Sequence, residues 1–355
     1  MEHRQANLMN SPGPVPTLHD LARAARVSVM TVSRALRGEG RVAPATRERI
    51  LALAESMGYR PDPDLARLMQ RVRSRKSVKI RAVIAVLREW VPEDDLLGSS
   101  YQYVSLEAIR KRALGHGYEV EEFWLGRDGL TPEKFGRVLR ARGIEAVIVS
   151  PQSSRLLCAE VDYAPFAAVA FGYAMREPAL HMCAGNMTLG IQTAAEQLTA
   201  RGYRRIGVAV TQWIVNRSQF GYSGGFFHFQ QSLPREDRVP LLLLPHNRIA
   251  RGFSFFAEWM EQNRPDGLIS FDTHVPGWLK RLGLNVPEEI GFVVHDWTPE
   301  MSGYAGIYQR REHLAAAAVD LIVTQLSLHE RGVPPVPRQI MIPPQWIPGP
   351  SVREL

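Results

Sequence analysis

The side chains best suited to chemistry lie near the start of the chain, and the chemistry they suit is recognition of a nucleic-acid duplex. Thr17, Ser28, Thr31, Ser33 and, further on, Tyr59 are hydroxyls of the kind that bond phosphate oxygens. Arg34 can bond guanine through two parallel N–H groups or grip a phosphate. Val29 and Met30 are apolar and suit thymine methyls and groove shape rather than donors and acceptors. Capping a helix end is the competing use for each hydroxyl.

These groups need elements to hold them, and the stretch TLHDLARAARVSVMTVSRAL at 17–36 reads as two short helices joined by a tight turn. Thr17 and Asp20 form a capping-box-like pair that opens the first helix. Leu21, Ala24 and Ala25 give it an apolar stripe at helical spacing. Ser28 caps the second helix, Val32 and Leu36 bury its inner face, and Val29, Met30, Ser33 and Arg34 form its outer face. This is the layout of a helix-turn-helix, whose second helix enters the major groove by its N-terminal end. A third helix over 44–57 starts with Pro44, buries Ile50, Leu53 and Met57, and ends at Gly58.

The order Thr-Leu-x-Asp-Leu-Ala-x-x-Ala-x-Val-Ser-x-x-Thr-Val-Ser-Arg-x-Leu resembles the start of lactose-repressor-type (LacI/GalR family) transcriptional regulators. Val42, Thr46-Arg47 and Gly58-Tyr59-Arg60-Pro61 continue the likeness at family spacing, while Ala43 stands where the family usually has a capping Ser. The resemblance implies a hinge helix within 61–79 that folds when a dimer grips DNA. It also implies that Leu68 is the residue wedged into the minor groove at the operator centre. Asp62, Pro63 and Leu65 depart from the usual hinge residues; a flexible basic linker is the competing reading of this segment.

Charge agrees with a head that meets phosphates. Of the net +7, residues 1–79 carry 15 Lys+Arg against 7 Asp+Glu, and residues 80–355 carry 28 against 29. The excess positive charge therefore sits in about one fifth of the chain, the footprint of a polyanionic partner. Residues 1–16, with three prolines, are expected to be disordered. The two cysteines, Cys158 and Cys183, are too few for a disulfide framework and sit in apolar segments, which points to buried free thiols. The sequence shows neither a leader-like apolar segment nor an apolar run of membrane-spanning length, and a soluble cytoplasmic protein is expected. No metal-ligand spacing, Gly-x-Gly-x-x-Gly or P-loop occurs, so no cofactor or metal is expected.

From residue 80 onward, apolar runs alternate with amphipathic stretches. Strands are expected at 81–87, 118–124, 146–150 and 166–171, then at 206–210, 240–244, 267–271 and 290–295. Helices are expected at 101–115, 132–142, 217–232, 252–263, 274–282 and 312–330, ahead of a Pro-rich segment at 333–350. Two β-α-β sets predict an α/β body of two doubly wound lobes with parallel sheets and a ligand cleft beyond the strand C-termini.

This body resembles the sugar-binding-protein-like (periplasmic-binding-protein-like) effector domain of the same family through Gly202-Tyr203-Arg204-Arg205-Ile206-Gly207, Pro265-Asp266-Gly267, Val286-Pro287, Ile290-Gly291 and Gln309. The likeness implies a homodimer on a near-palindromic DNA operator and a small-molecule effector, a carbohydrate by preference, in the cleft. Arg217, Asp272 and Gln309 match its polar cleft positions. Three departures touch those positions: Arg-x-x-x-Gly replaces Arg-x-x-Gly, Phe271 replaces the Asn before Asp272, and Gly185 replaces an Asp before Asn186. Trp90, Tyr101, Trp213 and Phe271 could stack on a flat ligand or serve as core.

The competing function is a serine hydrolase. Gly221-Tyr222-Ser223-Gly224-Gly225 fits Gly-x-Ser-x-Gly, and Asp296 and His313 follow in hydrolase order. That motif needs the Ser on a sharp turn directly after a strand, whereas here it falls inside an expected helix. The expected organisation is a disordered N-terminus at 1–16, a helix-turn-helix head at 17–60, a hinge at 61–79 and an effector-binding and dimerisation body at 80–355. The reading is of a DNA-binding regulator, a repressor by preference, and not an enzyme.

Overall fold

The computed structural model describes residues 16–37, 42–59, 82–90, 104–150, 157–245, 249–271 and 274–355. The expected hinge at 61–79, with Leu68, lies outside the described residues, as do Tyr101, Asp272 and the first fifteen positions. The chain divides into two units, Met1–Ile80 and Arg81–Leu355.

The first unit contains α1 (Leu18–Ala25), α2 (Val29–Arg37) and α3 (Pro44–Ser56). Thr17 starts α1 through a complete capping box: its hydroxyl accepts from Asp20 N, and its own N–H donates to Asp20 Oδ2 at 2.9 Å. The bonds from Thr17 hold the Asp20 carboxyl below its usual range. Arg26 ends α1 in the left-handed region at φ 52, and the turn reaches Ser28, whose Oγ accepts from Thr31 N at 3.1 Å. Leu21, Ala22, Ala25, Val32, Ala35, Ile50 and Ala54 form the core where the three helices meet. Ala22 takes the place expected for Ala24, which is exposed, because α1 turns that side toward its neighbours. Leu21, Val32 and Ile50 are fully buried; burying a side chain of this size contributes about 1.5–3 kcal/mol. Arg49 donates to Ala25 O at 3.1 Å and fastens α3 to the end of α1. No side chain caps α3, as the Ala at 43 implied.

The second unit runs β1 (Ala82–Glu89), α4 (Leu106–Gly115), β2 (Tyr118–Leu125), α5 (Pro132–Ala141), β3 (Ala146–Ser150), β4 (Ala167–Phe171) and β5 (His181–Gly185). It continues with α6 (Met187–Ala200), β6 (Ile206–Thr211), α7 (Gln212–Arg217), α8 (Gly221–Gln231), β7 (Leu242–Leu244), α9 (Ile249–Asn263), β8 (Gly267–Ser270), α10 (Val275–Arg281), β9 (Gly291–Val294) and β10 (Ala305–Tyr308). It closes with α11 (Arg311–Leu328), β11 (Gln339–Ile342) and β12 (Gln345–Ile347). The strands form two sheets, in the orders β11-β5-β4-β3-β1-β2 and β12-β10-β9-β8-β6-β7. All pairings are parallel except that of β10 with β12. Each order reverses beside its first strand, which is the doubly wound pattern.

The chain crosses between lobes at 185–187, at 309–310 and at 343–344, because α6 packs in the second lobe and α11 against α4, β3, β4 and β5 of the first. Core layers lie on both faces of each sheet.

Several expectations need correction. β1 extends past Leu87 because its two terminal charges are both satisfied. Arg88 pairs with Glu122 at 2.6 Å and lies over Trp124, and Glu89 accepts from Cys158 N at 3.0 Å. The helix expected at 217–232 is two, broken where Gln219 and Phe220 adopt left-handed φ of 48 and 64. β5, α6, β10, β11 and β12 were not anticipated; the last two lie in the Pro-rich segment and place one strand in each sheet. Both cysteines are buried free thiols, and burial pushes the Cys183 thiol up to about 12.

Candidate functional site

The head presents one outward face on α2. Met30 is 51% exposed, and Arg34, four residues on, is exposed on the same side. Val29 departs from expectation: it is half-buried against the head core rather than on the outer face. Ser28 Oγ lies 2.9 Å from Thr31 Oγ1 besides capping α2, so these two hydroxyls already serve the turn. Thr17 likewise serves its cap, donating to Asp20 Oδ2 at 2.6 Å, and Tyr59 is half-buried against the core. Ser33 is half-buried on α2. The exposed cation of Arg34 and the exposed thioether of Met30 are therefore open to a partner at this surface.

In the body, a cavity of about 60 Å³, open at its mouth, lies at the C-terminal ends of strands from both sheets. Ser150 closes β3, Phe171 closes β4, Phe271 follows β8, Asp296 follows β9 and Gln309 sits at the second crossover. Met187, Tyr173, Ile214, Arg217 and Tyr222 complete much of the wall.

The wall is held by specific bonds. Arg217 lies 4.5 Å from the Trp213 ring centroid, so Trp213 supports the guanidinium from below. Thr211 caps α7, which carries both residues, by accepting from Ile214 N. Tyr222 meets His295 edge-on at 4.6 Å and Phe271 at 6.0 Å. Gln309 donates its amide to His295 O at 3.0 Å, which leaves Oε1 as the group it can offer; this buried oxygen has no partner among the described residues. Burial pulls the His295 imidazole down to about 3, so it is neutral at ordinary pH. Asp296 accepts from Arg311 at 2.5 Å. Among the described residues the site thus combines aromatic faces, one cation, one compensated carboxylate and one unfilled acceptor.

Residues 17–62 match the family described as bacterial regulatory proteins, lacI family. The chain is 25% identical to the transcriptional regulator RafR of Escherichia coli over 360 residues, covering 95% of this chain and 98% of that protein.

Residues 17–62 thus carry a lacI-type head, and the chain as a whole is similar to lacI-family transcriptional regulators.

A second relative, the regulator GalR of Lacticaseibacillus casei, is 34% identical over 111 residues, which is 31% of this chain and 30% of that protein. Two solved structures share the fold over 95% of this chain and 99% of theirs. They are a CelR–cellobiose complex, with a TM-score of 0.55 at 16% identity, and a lac repressor dimer bound to operator and an anti-inducer, with 0.54 at 19%.

In the body, Arg217 and Gln309 come together at one cavity, and Trp213 lies behind Arg217. Phe271 lines the same cavity, whereas Trp90 is 47% exposed and does not line it. Sequence reading did not place Asp296, Ser150 and Tyr173 at the cleft. Their signal was their position just past a strand end, which is usable only once the strands are placed. The extra residue in Arg-x-x-x-Gly is absorbed by the left-handed break at Gln219 and Phe220, and this leaves Arg217 at the cavity. The space beside Gly185 is taken by Gln309, whose Oε1 would lie 2.6 Å from a Cβ there.

The hydrolase motif has no elbow. Ser223 sits within α8, its hydroxyl donating to Phe220 O at 3.2 Å; Asp296 pairs with Arg311, and His313 contacts Glu312. Among the described residues, no helix is long and apolar enough to cross a membrane, and no cluster of His, Cys, Asp and Glu could hold a metal ion.

Proposed function

We propose that this regulator is a repressor whose head, at 17–60, reads a near-palindromic operator as part of a homodimer. The body from 80 onward then binds a sugar at the cleft and so sets operator affinity. The observation that carries this reading is the pairing of an exposed Met30–Arg34 face on the second helix of a helix-turn-helix with a cavity at the strand ends of a two-lobed body. Thr17, Ser28, Val29, Thr31, Ser33 and Tyr59 supply phosphate and shape contacts, and Leu68 is the operator wedge within a hinge at 61–79. Within the cleft, Arg217 and the acceptor of Gln309 bond sugar hydroxyls while Tyr222 and Phe271 pack on the ring; Tyr101 and Asp272 complete the set.

A carbohydrate is favoured because a structural neighbour is a complex with cellobiose and another, a regulator from Enterococcus faecium, holds ribose. The protein acts in the cytoplasm, where operators are.

Two experiments test the reading. Selection from random duplexes should return a two-fold-symmetric site. A thermal-shift screen of sugars and nucleosides should raise the melting temperature with a sugar; a ligand at a hundred times its Kd adds about 2.7 kcal/mol. A nucleoside hit with silent sugars would overturn the carbohydrate assignment, and an asymmetric selected site would overturn the dimeric operator.

A further inference from the structure

The first turn of α11 reaches back across the second lobe crossover. Arg311 opens this helix, which packs in the first lobe, yet its Nη2 donates to Oδ2 of Asp296, which follows β9 in the second lobe. Both side chains are largely withdrawn from water, at 19% and 14% exposed. The next residue, Glu312, accepts from the hydroxyl of Tyr308, the last residue of β10. Between these ties Arg310 takes a left-handed φ of 48, and Gln309 bonds His295 O. An arginine at the first position of a helix is opposed by the helix dipole, so helix stability does not explain Arg311. Its pairing with Asp296 does.

We propose that Arg311 is a positioning residue for the cleft. It holds the Asp296 carboxylate in the cavity wall and, with the Tyr308–Glu312 bond, clamps the two lobes at this crossover. Asp296 lines the cavity, so a ligand hydroxyl that bonds it shares an oxygen already engaged by the first lobe. Occupancy of the cleft is thereby transmitted to the lobe angle as a shift between populations. Removing Arg311 leaves the Asp296 carboxylate poorly solvated and without this counter-charge, which favours the opened arrangement where water can reach it. The consequence for regulation rests on the cleft being the effector site; the clamp itself does not.

Hydrogen–deuterium exchange on the full-length protein, without DNA or ligand, tests the clamp. The variants are Arg311→Gln, Asp296→Asn, Arg311→Lys and the swapped pair Asp296→Arg with Arg311→Asp. The clamp predicts that Arg311→Gln and Asp296→Asn speed exchange about threefold or more at all three crossovers, including 185–189 and 340–346, which Arg311 does not touch in the bonds above. Arg311→Lys should stay near wild type, and the swapped pair should recover part of the protection.

Faster exchange confined to 309–314 would mean that Arg311 only stiffens its own helix end, and unchanged exchange would mean that the pair holds nothing; either result overturns the proposal. Should Arg311→Gln fail to fold, Asp296→Asn against Arg311→Lys decides the same question. This experiment can fail while the operator reading stands, and a failed operator selection would leave the clamp untouched.

Discussion

Acid should destabilise this protein in part through the buried ring of His295. His295 titrates at 6.5 in a model peptide and at about 3 in the fold, because burial withdraws the imidazolium from water. The depressed value means that the unfolded chain binds the proton first. Stability is therefore full above about pH 6.5 and is lost as pH falls toward 3. Integrating this difference gives a loss of about 2 kcal/mol at pH 5 and about 3 kcal/mol at pH 4, against a few tenths at pH 7.

The perturbation is His295→Phe, which keeps a ring against Tyr222 and removes the titration. The larger ring presses on Gly190, where a Cβ would already lie 2.6 Å from the imidazole, so the variant carries an offset of about 1–3 kcal/mol at every pH. That offset cancels in the pH difference. So does His181, lowered by burial and by Arg338, because both proteins contain it. Urea unfolding at pH 7 and pH 5, followed by circular dichroism, should show wild type losing about 2 kcal/mol more than the variant over that interval. Losses that agree to within about 0.5 kcal/mol would refute a neutral, desolvated His295.

Three further outcomes follow from the same structure. Arg34→Ala should weaken binding to the selected operator at least about tenfold and leave the circular dichroism spectrum unchanged, since Arg34 is exposed and no core contact depends on it; undiminished affinity in a gel-shift assay would remove Arg34 from the interface. Gly207→Ala should cost about 1–3 kcal/mol in urea unfolding, because its Cβ would lie 2.4 Å from the Trp259 ring; an unchanged midpoint would contradict that packing. Cys158 and Cys183 should resist a thiol reagent at pH 8 in the native protein and react at once in denaturant, since burial, aided at Cys158 by Glu89, raises both thiols; fast native labelling would show that one of them is reached by water.

The head was legible in its helices and caps, though not in the burial of Ala24 and Val29, because capping and short-range periodicity are local. Thr17, Asp20 and Ser28 do in the fold what their types and spacing announced. The body was legible as alternating elements but not in detail. Arg88 and Glu89 hid the end of β1, because only tertiary partners make charges acceptable there. α6 buries Met187, Gly190, Ile191, Ala194, Ala195 and Leu198, a clean helical stripe, but its glycine and its single charge, Glu196, blurred the polar face that marks a helix. β11 and β12 are short strands among prolines, and only the sheets they join reveal them. At the cleft, Arg217 and Gln309 were within reach of a motif comparison. Asp296 was not, because its role depends on Arg311, fifteen residues away across a lobe crossover.

The central claim is that a small cationic head reads a duplex while the nearly neutral body decides when. Titrating the full-length protein against labelled duplexes, one carrying the selected site and one a scrambled sequence, from 50 to 300 mM potassium chloride tests it most directly. The account predicts a preference of about a thousandfold or more for the selected site. It also predicts an affinity that falls steeply with salt, by roughly 0.9 log units per log unit for each phosphate contacted. Equal affinity for both duplexes, indifferent to ionic strength, would contradict it.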